Sequence, residues 1–363
     1  MYKKHLDDIE PYKPGKPIEE VKRELGLEKV IKLASNENPL GPPPGVLEAI
    51  KNASKEINRY PDGGCFYLKQ ALSRKLSVPE ENFVFGCGSD EIIVLTLHAF
   101  VSPGDEVVVA DPTFQIYHIA SKVKGAELKI VPSKNFKYDL EGMLDAVSER
   151  TKVVFIANPD NPTGTYVNSG ELDSFLSKLP KGVVVFIDEA YYEYARGGDY
   201  PETIGLHKRD DINVIIARTF SKAYALAGLR IGYGIARGDI AAVLNKVREP
   251  FNVNSIAQAA AIAALDNEDF VKKSVDLVKE EKQKLYEELR SLGVEYVPSK
   301  TNFVLVNAKR DSIEVFEYLL SKGIIVREMS PWGLKGFIRV NMGTKKENEA
   351  FLKAFSEAMK EIK

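Results

Sequence analysis

Six short apolar runs rich in β-branched residues recur through the middle of the chain: Phe83–Phe85, Glu106–Ala110, Lys129–Val131, Lys152–Ala157, Val183–Ile187 and Val214–Ala217. Helical patterns such as Asp90–Val101 and Leu140–Ser148 lie between them. A strand that is apolar on both faces must be covered on both, and parallel neighbours need crossover connections, which helices supply. The alternation predicts an α/β fold with a mostly parallel sheet sandwiched by helices. Ligands in such folds gather at the carboxyl ends of the strands.

The pattern changes after residue 265. Val271–Leu292 reads as an amphipathic helix with Val275, Leu277, Val278, Leu285 and Leu289 on one side, and Gly293 is placed to end it. Strands are expected near Asn302–Asn307, Ile324–Arg327 and Phe337–Asn341, with a helix near Ser312–Leu320. A last helix opens on Thr344-Lys345-Lys346-Glu347, a capping box. The expected organisation is a large ligand-binding domain at 36–265, a smaller α+β domain at 266–363, and an N-terminal arm at 1–35 against the smaller domain. A length of 363 residues suits this division, since single cores stop growing at roughly 250–300 residues.

Charge and composition exclude several classes of protein. With 50 Lys+Arg against 52 Asp+Glu the net charge is −2, and the signs are interleaved, so nucleic acid is not an expected partner. Hydrophobic residues at 44% argue against a disordered chain. The longest apolar run, Ala259–Leu265, falls far short of the roughly 20 residues that span a bilayer, so no membrane association is expected. The first residues lack the apolar core of a secretory signal, and Cys65 and Cys87 alone make no disulfide framework; both point to the cytoplasm. The four histidines show no metal-ligand spacing.

The chemistry concentrates where the strands end. Lys222 lies in Thr219-Phe220-Ser221-Lys222-Ala223, just past a strand, with Arg230 eight residues on. A lysine in a partly apolar pocket loses its proton near neutrality and condenses with aldehydes. Thr219, Ser221 and Arg230 suit a phosphate monoester. Asp188 follows the apolar strand Val183–Ile187, where a carboxylate needs a cationic partner such as a protonated pyridine, and Tyr191 is near enough to bond a ring phenolate. Asn158-Pro159-Asp160-Asn161-Pro162-Thr163-Gly164 forms a loop at another strand end, presenting Asn161. Gly86-Cys87-Gly88-Ser89-Asp90 places a glycine-rich turn before a helix start, a cradle for a phosphate, and Phe114 is placed to stack on a flat heterocycle. Singly, these features also read as a surface turn, a helix cap, a structural loop and a core ring. Together they are the contacts pyridoxal 5′-phosphate requires.

On Ser35-Asn36-Glu37-Asn38-Pro39, Arg59-Tyr60-Pro61-Asp62, Asn161-Pro162-Thr163-Gly164, Asp188-Glu189-Ala190-Tyr191 and Ser221-Lys222-Ala223, the chain resembles the fold-type I, class I/II pyridoxal-phosphate aminotransferases. Within that group it is most similar to the histidinol-phosphate aminotransferase family, from about residue 8 to the end. The resemblance implies that Lys222 binds the cofactor aldehyde and shuttles the proton. It implies that Asp188 holds the ring nitrogen protonated while Asn161 and Tyr191 bond the ring oxygen. Ser89, Asp90, Thr219, Ser221 and Arg230 would bind the cofactor phosphate, and Phe114 would stack on the ring. Tyr60 would reach the phosphate from a neighbouring subunit, which makes a homodimer with shared active sites. Tyr12, Asn36, Asn161, Arg327 and Arg339 would bind substrate, namely histidinol phosphate in one half-reaction and glutamate or 2-oxoglutarate in the other. Aromatic amino acid transamination and threonine-phosphate decarboxylation remain as alternatives on the same scaffold.

Overall fold

A computed structural model describes residues 2–362. Its first strands are β1 Ile31–Lys32, β2 Phe83–Gly86, β3 Glu106–Asp111, β4 Glu127–Pro132, β5 Thr151–Ala157, β6 Val184–Asp188, β7 Asn213–Thr219 and β8 Gly232–Ala236. Strands β2 to β8 form a seven-stranded sheet in the order β2-β8-β7-β6-β5-β3-β4. Only β8 runs antiparallel to its neighbours; the remaining adjacent pairs are parallel.

Side chains alternate across this sheet with the period of two that a pleated strand imposes. Val153, Phe155, Val184, Phe186, Ile215 and Ala217 enter one core, shared with Ile92, Tyr117 and Leu244 of the helices on that face. Val154, Ile156, Val185, Ile187, Val214 and Ile216 enter the other, with Leu68, Leu172 and Phe175. The central strands are apolar throughout because both faces are covered. The edge strand β4 leaves Ile130 half exposed.

The six sequence-derived strands match β2 to β7, while β8 went unseen because Gly232-Tyr233-Gly234 carries two glycines where apolar side chains are expected. The glycines are there for space: a Cβ on Gly234 would lie 2.8 Å from Val84, and one on Gly232 would lie 2.5 Å from the Ser89 nitrogen. The helix expected at Leu140–Ser148 stops at Asp145.

A second sheet, in the order β12-β13-β10-β9, is antiparallel and joins β9 Tyr296–Val297, β10 Phe303–Asn307, β12 Arg327–Glu328 and β13 Phe337–Asn341. The stretch expected as one strand at Ile324–Arg327 divides: β11 Ile324–Ile325 leaves to pair in parallel with β1. The helix Glu268–Ser291 and the capping-box helix Lys345–Glu361 cover this sheet, burying Val278, Leu285, Phe351 and Phe355. The N-terminal segment divides its contacts. Val21 and Ala34 pack with Ile325, whereas His5, nearer the start, bonds the Val123 carbonyl of the helix Gln115–Lys124 at 3.2 Å.

The tight approach at Gly232 is testable. Gly232→Ala forces apart β8 and the start of the helix Ser89–Phe100. Its denaturant midpoint is expected to report a loss of about 1–3 kcal/mol; an unchanged midpoint would show that the strand shifts freely.

Candidate active site

A cavity of about 380 Å³ opens where β2, β3, β5, β6 and β7 end. At its base β6 delivers Asp188, only 5% exposed, directly from its apolar strand. Oδ2 accepts from the Tyr117 hydroxyl at 2.7 Å and Oδ1 from the Ala190 amide at 3.0 Å. Burial pushes this carboxyl up to about 6. Asp188 does not cap the following short helix, which begins at Tyr192.

Lys222 stands three residues past the end of β7. Its Nζ is 3.5 Å from the Ser35 carbonyl and 5.7 Å from the centre of the Tyr191 ring. Burial, with the Arg339 charge second, lowers this amine to about 8. Desolvation penalises a charged amine that has no counter-ion at contact distance. The Tyr191 hydroxyl accepts from Asn36 Nδ2 at 2.8 Å, and burial drives its phenol upward.

One end of the cavity is built for an anion. Gly88, with φ +80°, turns the chain into the helix Ser89–Phe100, so the unpaired amides of the first turn face the cavity beside Thr219 and Ser221. The Ser221 amide donates to Thr219 Oγ1 at 3.1 Å. Arg230, itself at φ +58°, brings Nη1 to 3.5 Å from Ser221 Oγ and Nη2 to 3.5 Å from Asp90. A Cβ at Gly88 would lie 2.7 Å from Arg230 Nη2, and the left-handed φ there strains any L side chain. Phe114 also lines the cavity, edge-on to Tyr117 at 5.6 Å and 88°.

The second sheet contributes the other cations. Arg327 and Arg339 are directly opposed on β12 and β13. Like charges so placed repel, and both guanidinium groups are lowered, chiefly by burial. Arg339 donates to Asn161 Oδ1 and, at 2.9 Å, to the Ala34 carbonyl. Arg327 donates to the Lys13 carbonyl and lies over the rings of Trp332 at 4.8 Å and Tyr12 at 5.9 Å. Arg339 Nε, Asn36 Oδ1 and Asn302 Oδ1 are buried without a partner, polar atoms left for a ligand or water.

The structure thus brings fourteen of the fifteen expected residues to one cavity. Tyr60 is the exception. It is 83% exposed, stacked on Phe251 at 4.8 Å, and absent from the lining. Sequence reasoning missed Tyr117 and Asn302. Tyr117 lies three residues after Phe114, in the first turn of the helix that Phe114 precedes, close enough in sequence to have been weighed with it. Asn302 precedes a strand and binds the Asn36 carbonyl at 3.0 Å, a pairing across 266 residues that no local signal announces. Among the described residues no three His, Cys, Asp or Glu side chains converge as a metal site, and no helix is long and apolar enough to cross a membrane.

Comparisons agree with this geometry. The family model Aminotransferase class I and II matches residues 28–355. The histidinol-phosphate aminotransferase of Moorella thermoacetica is 51% identical, over 97% of this chain and 91% of its own. That of a Geobacillus species is 46% identical over 99% and 98%. Among solved structures, the histidinol-phosphate aminotransferase of Sinorhizobium meliloti in complex with pyridoxal-5′-phosphate superposes with a TM-score of 0.90. It is 31% identical and the match covers 99% of this chain and 97% of that one. With this match across most of its length, and with strand-end lysine, aspartate and phosphate cradle in one cavity, the chain belongs to the class I and II aminotransferases.

Proposed function

We propose that the chain is a pyridoxal-phosphate-dependent aminotransferase of histidine biosynthesis, interconverting L-histidinol phosphate plus 2-oxoglutarate with imidazole-acetol phosphate plus L-glutamate. One observation carries the reading: a buried amine and a buried carboxylate share a cavity into which a second sheet sends two opposed arginines. The names of the curated relatives support the substrate.

The residues present fit the cofactor. Asp188 has lone pairs left after two protein donors, the helix start at Ser89 and Asp90 lines the cavity with Thr219, Ser221 and Arg230, and unpartnered polar atoms of Asn36 and Arg339 remain on the wall. Bound there, pyridoxal phosphate supplies an aldehyde and an electron-withdrawing ring. Asp188 holds a proton on the ring nitrogen. Asn161 and Tyr191 hold the ring oxygen, and Phe114 covers a ring face. The Ser89 and Asp90 amides with Thr219, Ser221 and Arg230 bind the phosphate. Lys222 Nζ, lowered toward neutrality, takes and returns the proton that transamination moves between two carbons. Arg327 and Arg339 bind the substrate anion, the phosphate of one partner and the side-chain carboxylate of the other, with Tyr12 and Asn36 beside them. The assembly is a cytoplasmic homodimer, in which Tyr60 of one subunit serves the pocket of the other; its exposure outside its own cavity supports this. The division of labour corresponds to a cofactor domain at 36–265, a substrate domain at 266–363 and an arm at 1–35.

The test is a half-reaction screen. The cofactor-loaded chain is mixed separately with histidinol phosphate, glutamate, phenylalanine and threonine phosphate while the cofactor's absorbance is followed. Conversion by the first two is expected. Conversion by phenylalanine but not histidinol phosphate would assign an aromatic specificity, and carbon dioxide released from threonine phosphate a decarboxylase. Arg339→Ala is expected to raise the KM for histidinol phosphate about 10- to 100-fold, the worth of a charged hydrogen bond; unchanged kinetics would remove that residue from the substrate site. Cofactor uptake by the apo chain requires the neutral amine of Lys222. Its rate should therefore rise with pH and level off above about 8, the value burial sets, and stopped-flow absorbance would detect a rise that continues to higher pH instead. Lys222→Ala should abolish the lysine-dependent band.

A further inference from the structure

We propose that Tyr117 is a positioning residue for this reaction: its hydroxyl holds the Asp188 carboxylate ionised and aimed at the ring nitrogen of the bound cofactor. The inference rests on the functional reading above and assigns a task that none of the cavity's charged residues performs.

Asp188 has two protein donors, the Ala190 amide and the Tyr117 hydroxyl, and only the second is a side chain. Among the described residues no lysine, arginine or histidine forms an ion pair with it. Tyr117 is fully buried and its ring cannot wander. It lies parallel to Phe155 at 4.7 Å and 9°, and edge-on to Phe114 at 5.6 Å and 88°. Burial first, and the Asp188 charge next, push its phenol far above the ordinary range, so it remains a donor at every working pH. A hydrogen bond to the charged form of a buried acid favours that form. Without the phenol, the proton between carboxylate and ring nitrogen moves toward the carboxylate. Phe114 at the start of the helix Gln115–Lys124 and Tyr117 in its first turn thus place both the ring's stacking partner and the donor that orients its counter-ion.

Tyr117→Phe keeps the ring and its stacking and removes one oxygen. The experiment titrates the absorbance of the lysine-bound cofactor against pH, without substrate, in the parent chain, in Tyr117→Phe and in Asp188→Asn. A ring nitrogen that holds its proton less firmly withdraws fewer electrons, so the nitrogen joining Lys222 to the cofactor keeps its proton to higher pH. The midpoint in Tyr117→Phe is expected to rise by about one pH unit, a tenfold change in proton affinity. Asp188→Asn should move it further in the same direction. Cofactor retention on dilution should weaken about tenfold, while Tyr117→His, which restores a donor, recovers part of the parent midpoint. A purely structural role for the phenol would leave the midpoint where it is. If Tyr117→Phe titrates like the parent while Asp188→Asn shifts, the inference is overturned and the proposed function stands. If the parent itself forms no lysine-dependent band, both fall.

Discussion

The Asp188 carboxylate emerges from a strand whose every residue is buried, and it meets two hydrogen-bond donors and no protein cation. An acid in that position is costly to ionise, and its raised proton affinity records the cost. The neighbouring architecture turns on this carboxylate. The strand must be central for both its faces to be covered, which requires helices on both sides. Its end must open into a cavity if the free lone pairs are to meet a ligand. A cation arriving from outside the protein would complete its pairing, and a protonated heterocycle has a suitable shape.

A complementary tension lies across the cavity. Arg327 and Arg339 face one another on adjacent strands, mostly buried, with backbone carbonyls and an amide oxygen as their partners. Two guanidinium groups in that register repel until an anion joins them. The carboxylate short of a cation belongs to the seven-stranded sheet, and the cations short of an anion belong to the four-stranded one. A protonated heterocycle would relieve the first surface and an anion the second, so the two demands fall on opposite sides of one cavity.

Much of this is legible in the amino-acid sequence. Strands β2 to β7 announced themselves because parallel strands covered on both faces are continuous apolar runs. Lys222, Asp188 and Asn161 were legible because each sits at or a few residues past the end of such a run, where an ionisable or amide group has few structural reasons to be. β8 was hidden by the glycines that its close packing demands, and Arg230 at its start was found from the lysine motif instead. The N-terminal arm's split contacts were also invisible, since nothing near His5 distinguishes a helix in one sheet layer from one in another. Tyr117 hid in plain sight: a tyrosine in an amphipathic helix looks like core, and it is core, apart from one oxygen. Asn302 depended on a long-range pairing. What eluded the sequence consists of second partners, residues whose importance lies in what they touch.

The antiparallel strand β8 has a consequence for how the molecule can move. Because β8 returns beside β7, the segment carrying Lys222 is clamped at both ends, with the Phe220 amide donating to the Ile231 carbonyl at 3.1 Å and the Leu226 amide to Phe220 at 3.0 Å. The lysine, the hydroxyls of Thr219 and Ser221 and the guanidinium of Arg230 are therefore mounted on one stiff hairpin, and the spacing between the amine and the anion-binding groups is built into its length. Arg327 and Arg339 hang from the strands of the other sheet. Any hinging between the sheets would change the distance from these arginines to Lys222 and leave the spacing within the hairpin undisturbed, so the two ends of the cavity could adjust to each other without disturbing the lysine's own setting.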